Sequence, residues 1–375
     1  MGGSGHAQYD VVIAGSGPAG ISTAMHLTKL VPSIGNRMIV LEKAEHPRKK
    51  PCGGGIVAYT DYWLKRLDIK VSIPSLELSR TRIVFDHDEY VEYVLYGGGL
   101  RTVIREEFDE FLVRKAKSSG IEISQSEPAF SFSYRDDAVV VQTPKRNITT
   151  RILVGADGAK STIRRNLYRN LGIRGPKNTC RALRFMKQVE GFNSPEHRDL
   201  EAVMDFSCIS RHGIGGYAWS FPVLTSGQAW LNTGIGGFGI SKGEGHWLRQ
   251  ILAEFLSARG LSLDERRVEG YPIRWFHPSS ILSARRVLLV GDAAGIDPLW
   301  GEGISFCLGY GHVAANSIVR ALKGKDFSFA TYKEELLEHE VGRELMNRLG
   351  LADKLYRSHK AEGVRDLLLS ALSSR

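Results

Sequence analysis

The chain has 375 residues, of which 42% are hydrophobic and 24% are charged, and its formal net charge is +9. This apolar content is ordinary for a soluble globular protein, and the length suggests about two domains, or one large α/β unit with an inserted lobe. The positive charges are scattered, with Arg48-Lys49-Lys50 as the densest run. We expect no nucleic-acid partner, because no recognisable reading motif accompanies the charge.

The four cysteines form no CxxC pair, so we expect neither a zinc or other metal site nor a secreted disulfide scaffold. The first six residues contain no apolar segment, which argues against a signal peptide. No uninterrupted stretch of about 18 apolar residues is present, so no membrane-spanning helix is expected. These features favour a reducing cytoplasm, with peripheral contact to a membrane as an open alternative.

The first predicted element is a buried parallel strand at Tyr9–Ala14, a short apolar segment rich in β-branched residues. It leads into a Gly-x-Gly-x-x-Gly turn at residues 15–20, and an apolar helical stretch follows the turn. A second strand, Met38–Leu41, ends in Glu42. This order of elements predicts a dinucleotide-binding βαβ unit: a strand, a glycine-rich turn, a helix, a second strand and an acidic residue.

Each residue type in this unit has a physical role. Gly15 permits the tight strand-to-helix turn, Gly17 lets the backbone approach a diphosphate, and Gly20 lets the helix pack close to the sheet. The helix N-terminus offers free N–H groups to the phosphates. Glu42 stands where a carboxylate usually accepts hydrogen bonds from a ribose, and it would repel the 2′-phosphate of NADP. We also expect cofactor contacts from Pro18, Ala19 and Lys43.

The Gly-x-Gly-x-x-Gly spacing occurs a second time, at Gly234, Gly236 and Gly239. A strand-like stretch precedes it, but no apolar helix starts directly after Gly239, and no strand with a terminal acid follows. We therefore interpret this second occurrence as a loop that lines a pocket rather than as a phosphate site.

Two further strand-and-turn signals lie far downstream. Residues 152–158 have the pattern of a buried strand followed by the turn Gly155-Ala156-Asp157-Gly158. Residues 287–295 have the pattern of a buried strand followed by a turn that begins with Gly291-Asp292. An aspartate in such a turn can cap the following helix or accept a hydrogen bond from a sugar-like hydroxyl, and both interpretations stay open. A long helical pattern at Ser305–Leu322 follows the second signal, and its N-terminus would point at bound negative charge.

Together, the three turn motifs resemble those of flavoproteins with the p-hydroxybenzoate hydroxylase fold. Three stretches narrow the resemblance to the geranylgeranyl reductase family of FAD-dependent oxidoreductases: Lys50–Gly55 (KPCGGG), Tyr217–Pro222 (YxWxFP) and Gly291–Ile304 (GDAAG…PLxGEGI). In that family a GxG follows YxWxFP after a shorter spacer than the one before Gly234-Ile235-Gly236 here, so the pocket is expected to differ in shape. The resemblance covers roughly residues 9 to 325.

The resemblance implies a bound FAD. It implies contacts at Asp157 and Asp292 and suggests Arg105 as a diphosphate partner, with a solvated helix arginine as the alternative. Cys52, beside three glycines, suggests close backbone approach to the flavin ring, with a small buried thiol as the alternative. The cofactor contacts implied by these motifs are Cys52, Gly53, Arg105, Asp157, Gly158, Gly291, Asp292, Gly301, Gly303 and Ile304.

The resemblance also implies a reductase that saturates carbon–carbon double bonds of a prenyl, geranylgeranyl-type chain, with NAD(P)H or another electron donor, a protein included, as reductant. Tyr217, Trp219 and Phe221 alternate at period two and would share one face of a strand. That face either lines a groove for a small apolar substrate or fills the core. Cys52, Tyr217 and Trp219 are the candidate residues of the substrate pocket.

Two other functions stay open on the sequence. A monooxygenase or halogenase of the same fold would act on an aromatic ring, although the WxWxIP motif typical of halogenases is absent. A non-catalytic flavin electron carrier would pass electrons to a partner protein. The sequence has no HExxH pattern and no nucleophile–base pair at a recognisable spacing, which fits chemistry carried out by a cofactor.

The predicted fold class is α/β, with a Rossmann-type FAD-binding domain of three layers around a parallel sheet, an antiparallel β-sheet substrate lobe, and C-terminal helices. We expect the FAD-binding domain from residues 8–60, 98–165 and 270–325, and the lobe from 61–97 and 166–269. Residues 326–375 are predicted to form a charged amphipathic helical segment that closes the core, with a membrane surface as the alternative. Its candidate apolar positions are Leu336, Leu337, Leu345, Leu349, Leu355, Leu367 and Leu368.

Overall fold

The structure is a computed structural model that describes residues 8–86, 89–94, 99–189, 201–238, 245–357 and 365–366. The strands are β1 (Tyr9–Ala14), β2 (Met38–Leu41), β3 (Gly55–Val57), β4 (Leu76–Leu78), β5 (Arg80–Asp86), β6 (Glu89–Val94), β7 (Leu100–Thr102), β8 (Glu122–Ser124), β9 (Ser131–Arg135), β10 (Ala138–Gln142), β11 (Asn147–Gly155), β12 (Thr179–Gln188), β13 (Glu201–Asp205), β14 (Gly215–Thr225), β15 (Gln228–Phe238), β16 (Glu269–Arg274), β17 (Ser283–Ala284) and β18 (Val287–Leu289). The helices are α1 (Pro18–Leu30), α2 (Ala58–Arg66), α3 (Arg105–Ser118), α4 (Thr162–Asn170), α5 (Ser207–His212), α6 (Gly245–Ser257), α7 (Ile304–Gly324), α8 (Tyr332–Glu338) and α9 (Glu340–Arg357).

The largest sheet has eight strands, in the order β17-β18-β11-β1-β2-β8, and β10 and β9 continue antiparallel from β11. The strands from β18 to β8 are parallel. Every residue of β1 is buried, as expected for a central parallel strand covered on both faces. The carboxyl ends of β1, β2, β11 and β18 therefore meet at one edge, where the predicted glycine and aspartate turns begin.

Helices α1 and α7 pack against each other at very short range. A Cβ at Gly311 of α7 would lie 2.4 Å from Ser22 Oγ and 2.5 Å from the Thr23 backbone nitrogen of α1, so only glycine fits there. The Ser22 hydroxyl donates to the carbonyl of Leu308 at 2.6 Å. This contact fixes the two helices whose N-termini approach the carboxyl edge of the sheet.

The second sheet has seven strands, in the order β16-β12-β15-β14-β13-β5-β6, and its neighbours are antiparallel except for β13 and β5. Helix α6 packs against β12 and β15. Gly234 and Gly236 lie within β15, so the loop predicted for the second glycine motif is wrong at these positions, and Gly239 lies outside the described residues. A small third sheet, β3-β7-β4, connects to the second sheet through a hydrogen bond from the Thr102 hydroxyl to the Pro222 carbonyl at 2.5 Å.

The C-terminal segment forms α8 and α9 and contributes to both cores. Leu336 and Leu345 are buried in the core around the parallel sheet, and Leu355 is buried in the core of the second sheet. Leu367 and Leu368 lie outside the described residues. Among the described residues, no helix combines the length and apolarity needed to cross a bilayer.

The predicted fold class is confirmed: a parallel-sheet α/β unit carries an antiparallel-rich second sheet and C-terminal helices. The predicted domain boundaries stay a prediction. Strand β16 begins beside the boundary expected at residue 270 but pairs with β12 of the second sheet. Strands β3 and β7, expected in the FAD-binding domain, form the third sheet with β4, which was expected in the lobe.

Candidate active site

A cavity of about 690 Å³ lies between the carboxyl edge of the parallel sheet and the second sheet. It is lined by most of the residues that the sequence singled out: Gly15, Gly17, Pro18, Ala19, Glu42, Lys43, Cys52, Gly53, Arg105, Asp157, Gly158, Tyr217, Trp219, Asp292, Gly301, Gly303 and Ile304. Segments scattered from residue 14 to residue 307 therefore converge on one site.

Two of the predicted cofactor contacts, Gly20 and Gly291, do not line the cavity. A Cβ at Gly20 would lie 1.9 Å from the Gly15 carbonyl oxygen. Gly291 has a φ of +59°, and its Cβ would lie 2.7 Å from the Cβ of Ala19. Both positions need glycine for close packing beneath the cavity wall, and their predicted contact with the cofactor stays a prediction.

The glycine-rich turn joins β1 to α1. Gly15 has a φ of +111°, and a Cβ there would lie 2.3 Å from the Ala156 carbonyl oxygen, so this position requires glycine. Gly17 is different, because the nearest atom to an added Cβ is Arg48 Nη2 at 3.4 Å. Helix α1 begins at Pro18 with Gly17 as its N-cap, and no side chain caps it. The amides of its first turn thus stay available to an anionic ligand.

Glu42 follows β2 and is buried beside this turn. Its carboxylate accepts hydrogen bonds from the Ser16 backbone nitrogen at 3.0 Å, the Ser16 hydroxyl at 2.7 Å and the Ala44 backbone nitrogen at 3.1 Å. Burial alone would raise the pKa of Glu42, but Arg48 and the Ser16 donors outweigh it and hold the pKa below its ordinary value. Glu42 is therefore a fixed carboxylate at the edge of the cavity.

Two arginines converge on one buried acid behind the turn. Arg105 holds Asp109 in a bidentate pair, with Nε at 2.9 Å and Nη2 at 3.1 Å, and Arg48 Nη2 lies 3.2 Å from the same carboxylate. Burial opposes the charge on Asp109, but Arg105 and Arg48 lower its pKa. Arg105 is buried, so the solvated arginine considered for this position is excluded. Arg48 also lines the cavity, and the sequence marked it only as part of a basic run.

Asp157 follows β11 and caps α4. One carboxylate oxygen accepts hydrogen bonds from the backbone nitrogens of Thr162 at 2.6 Å and Ile163 at 3.1 Å. The other oxygen is buried and has no hydrogen-bond partner among the described residues. Burial raises the pKa of Asp157. The capping role is thus present in the structure, while one oxygen remains available to a ligand hydroxyl.

Asp292 lies in the turn after β18 and lines the same cavity as Asp157. Its carboxylate is 3.8 Å from Lys50 Nζ, and the same ammonium group lies 3.4 Å above the centre of the Tyr271 ring. Helix α7 begins nearby at Ile304, with Gly303 as its N-cap, and the Glu302 carboxylate accepts a hydrogen bond from the Ser305 backbone nitrogen of its first turn at 2.9 Å. This end of the cavity therefore combines a paired carboxylate with a helix N-terminus whose first turn is capped by Glu302.

The second sheet supplies an aromatic wall. Tyr217, Trp219 and Phe221 of β14 all line the cavity, whereas Ala218 faces the core beneath α6. A Cβ at Gly53 would lie 3.2 Å from the Phe221 ring and 3.4 Å from Trp219 Nε1, so the glycine segment lies directly against the aromatic side chains. Trp219 Nε1 is buried without a hydrogen-bond partner among the described residues. Tyr217, Trp219 and Phe221 therefore share one face of β14, as the sequence predicted.

Cys52 lies between the arginine pair and the aromatic wall. It is partly buried and free, and the Gly54 backbone nitrogen lies 3.4 Å from its Sγ. The amide of Asn232 donates to the carbonyls of Cys52 at 2.8 Å and Gly53 at 2.9 Å. Neither Asn232 nor this link was apparent in the sequence.

The cavity has two chemically distinct ends. One end offers first-turn amides, Arg48 and the carboxylate of Glu42, which suit a diphosphate beside a ribose. The other end is walled by aromatic side chains and a glycine segment, which suit a flat ring and an apolar ligand. There is free space beside the Gly17 Cα, and one carboxylate oxygen of Asp157 has no hydrogen-bond partner among the described residues. Both features fit an extended dinucleotide. The residues present thus match FAD.

Comparison with known proteins agrees with this geometry. A family model described as "FAD binding domain" matches residues 8–213. The chain belongs to this FAD-binding family. It is 25% identical over 370 residues to digeranylgeranylglycerophospholipid reductase 3 of Methanosphaera stadtmanae, which covers 94% of this chain and 88% of that protein. The resemblance to geranylgeranyl reductases is therefore confirmed.

Two solved structures share the fold. A geranylgeranyl bacteriochlorophyll reductase-like protein of Thermoplasma acidophilum superposes with a TM-score of 0.77 at 21% identity, over 96% of this chain and 91% of that one. The halogenase PltM, solved with phloroglucinol and FAD, gives a TM-score of 0.71 at 20% identity, over 98% of this chain and 80% of that one. Taken with the family match, the cavity makes this chain an FAD-dependent oxidoreductase.

Proposed function

We propose that the protein saturates carbon–carbon double bonds in the prenyl chain of a lipid, with FAD as the cofactor. The observation that carries this proposal is the position of the aromatic wall. Trp219 and Phe221 lie against Gly53 within the same cavity that the dinucleotide turn opens into. An apolar chain would therefore contact the aromatic side chains and the ring end of the cofactor together. The reductase named above, which matches nearly the whole chain, supports the same substrate class.

Bound FAD in its reduced form would supply the hydride for this reaction. The alkene would gain that hydride at one carbon, and a nearby acid or water molecule would supply the proton to the other. The residues of this chain bind and orient the partners. The turn at Gly17 and Arg48 would hold the diphosphate, Asp157 and Asp292 would accept hydrogen bonds from hydroxyl groups, and Trp219 would exclude water from the reacting end.

The remaining site assignments belong to the same proposal. Cys52, Tyr217 and Trp219 would form the substrate pocket, and the cavity-lining glycines and aspartates would contact FAD. NAD(P)H or another electron donor, a donor protein included, would reduce the cofactor. Contact with a membrane surface would give the protein access to its lipid.

An oxygenase or halogenase acting on an aromatic ring is the second candidate, because the FAD-bound halogenase shares the fold. Oxygen use distinguishes the two. With the flavin reduced anaerobically by dithionite, a geranylgeranyl lipid should reoxidise it in a single turnover and gain two hydrogen atoms per double bond by mass spectrometry. Substrate-dependent oxygen consumption without a saturated product would contradict the proposal. Electron transfer to a partner protein with no small-molecule turnover would indicate an electron carrier.

The aromatic wall provides a matched test. Trp219→Leu should leave FAD bound, because Trp219 is on the second sheet, but should lower the rate of flavin reoxidation by the prenyl lipid at least about tenfold. Trp247→Leu on α6 is the control, because Trp247 is exposed and does not line the cavity. Equal rates for both variants would show that the prenyl chain does not bind at this wall.

A further inference from the structure

We infer that Arg348 of the C-terminal helix α9 is a positioning residue for the loop at residues 297–303, which forms the wall at the ring end of the cavity. The inference rests on the FAD site and not on the identity of the substrate. It adds α9 to the structural unit of the active site, although the sequence predicted only core closure for this segment.

The loop is organised around one buried carboxylate. Asp297 is fully buried, and its Oδ1 accepts a hydrogen bond from the Leu299 backbone nitrogen at 2.8 Å. Its Oδ2 accepts from the backbone nitrogens of Trp300 at 3.2 Å and Glu302 at 3.3 Å. Three amides of the loop therefore take their positions from a single side chain. Charge-assisted bonds of this kind are about twice as strong as neutral ones.

Arg348 supplies the counter-charge. Its Nη1 lies 2.6 Å from Asp297 Oδ2, and its Nε donates to Glu344 one turn earlier in α9 at 2.7 Å. Arg348 is itself buried, and its guanidinium lies 4.8 Å from the centre of the Phe306 ring of α7. No other cation of the described residues forms an ion pair with Asp297. Loss of Arg348 would leave a buried carboxylate whose only partners are backbone amides.

Two tyrosines donate hydrogen bonds to adjacent carbonyls of the same loop. The Tyr356 hydroxyl, also on α9, donates to the Leu299 carbonyl. The Tyr217 hydroxyl of the aromatic wall donates to the Trp300 carbonyl at 2.5 Å. Helix α9 lies close against β14, since a Cβ at Gly215 would be 2.8 Å from the Tyr356 Cβ. The loop is thus held between α9 and the strand that carries the aromatic wall.

The position of the loop matters because the cavity wall is made from it. Trp300, Gly301, Glu302 and Gly303 all line the cavity, and α7 starts directly after them. The cavity-lining residues of this loop would lie beside the ring of the cofactor, where displacements of about 0.5–1 Å weaken binding and catalysis. Arg348 does not itself line the cavity. It acts through Asp297, and its Nη1 also lies 3.8 Å from the Glu302 carboxylate of the same loop.

The test compares Arg348→Gln with Arg348→Lys, and uses Arg343→Gln as a control because Arg343 is exposed on the same helix. FAD is titrated into each apoprotein, and flavin fluorescence and the visible spectrum of the bound form are recorded. Arg348→Gln should weaken FAD binding at least about tenfold and broaden the visible bands. Arg348→Lys should recover part of both effects, and Arg343→Gln should match the parent protein.

A double variant that neutralises both Asp297 and Arg348 distinguishes a merely structural role of Arg348 from a role in positioning the loop. In Asp297→Asn with Arg348→Gln, the buried charge of Asp297 is removed together with its partner, while Glu302 still lacks Arg348, so the melting temperature should recover part of the way toward that of the parent. FAD affinity and spectrum should not recover, because the carboxylate that fixes the loop is absent. If Arg348→Gln does not fold, Tyr356→Phe, which deletes one hydroxyl, should still alter the flavin spectrum. Parent-like affinity and spectrum in a folded Arg348→Gln, or their full recovery in the double variant, would overturn the inference.

Discussion

Asn232 holds the backbone of Cys52 against the second sheet. Both hydrogens of its side-chain amide are used, one for the Cys52 carbonyl at 2.8 Å and one for the Gly53 carbonyl at 2.9 Å. The Asn232 side chain is almost fully buried on β15. The glycine segment that lies under the aromatic wall is thus attached to the strand beside that wall, which makes Asn232 the link between the two parts of the site.

The first prediction concerns this link. Asn232→Asp replaces two donors with a carboxylate that faces two carbonyls, so the free energy of unfolding should fall by roughly 1–3 kcal/mol at neutral pH. FAD binding should weaken as well, because residues 52–53 line the cavity. Urea unfolding and FAD titration measure the two effects. Asn36→Asp, an exposed position with the same charge change, is the control, and equal stability of the two variants would contradict the link.

The second prediction separates cofactor binding from folding. Gly17 has an ordinary φ of −71°, and an added Cβ would meet no atom closer than 3.4 Å. Gly17→Ala should therefore leave the melting temperature of the apoprotein unchanged, yet weaken FAD binding at least about tenfold, because the methyl group occupies the path of the diphosphate. Gly35→Ala, which also has space, is the control. Unchanged FAD affinity in Gly17→Ala would place the diphosphate elsewhere.

The third prediction tests a residue that the sequence motifs did not identify. Arg48 lines the cavity beside Gly17 and pairs with Asp109, so its charge is fixed where a diphosphate would lie. Arg48→Gln should weaken FAD binding by roughly 10- to 100-fold, and the loss should shrink as salt is added. The neighbouring Lys49 is exposed and does not line the cavity, so Lys49→Gln should bind FAD normally. Isothermal titration at two salt concentrations distinguishes these outcomes.

The fourth prediction concerns pH and a histidine cluster outside the cavity. The rings of His26 and His312 are 4.8 Å apart, and those of His312 and His339 are 5.6 Å apart, with Trp63 packed against both His312 and His339. Burial, followed by the neighbouring histidine, lowers the pKa of His26 to about 3 and that of His312 to about 4. Arg66 disfavours protonation of all three histidines.

The sign of the pH effect follows from these shifts. The unfolded chain binds protons near pH 6.5, whereas the folded chain does not bind them at His312 until about pH 4. Stability is therefore fully present above pH 6.5 and is lost as the pH falls toward 4, by at most about 1.4 kcal/mol per pH unit for each histidine. His26→Gln should flatten this slope in urea unfolding at pH 7.5 and 5, while the exposed His246→Gln should not. An unchanged slope would contradict the prediction.

The main architecture could be predicted because its signals are local and repeated. The buried parallel strands β1, β11 and β18 end in glycine or aspartate turns and β2 ends in Glu42, and parallel strands bring their carboxyl ends to one edge. Asp157 and Asp292 are 135 residues apart in the chain yet line the same cavity for this reason. The aromatic wall was predictable too, since Tyr217, Trp219 and Phe221 alternate at the period of a strand.

Other parts of the site depend on contacts between distant segments that leave no spacing signal. The pairing of Arg48 with Asp109 and the bonds from Asn232 to Cys52 are of this kind. Gly234 and Gly236 were assigned to a loop because neither an apolar helix nor a strand with a terminal acid follows Gly239. They lie within β15, and Gly234 is needed where the Trp219 ring crosses that strand. A Cβ there would lie 2.3 Å from that ring.

The close contact between Gly311 and Ser22 has a mechanical consequence. Helix α1 begins at the glycine-rich turn, and α7 begins beside the loop at residues 297–303, so the two ends of the cavity share one rigid support. A displacement of one end would therefore strain the α1–α7 contact that supports the other. A bulkier residue at Gly311 would push the ends apart and misfit every extended dinucleotide, whichever substrate the protein uses.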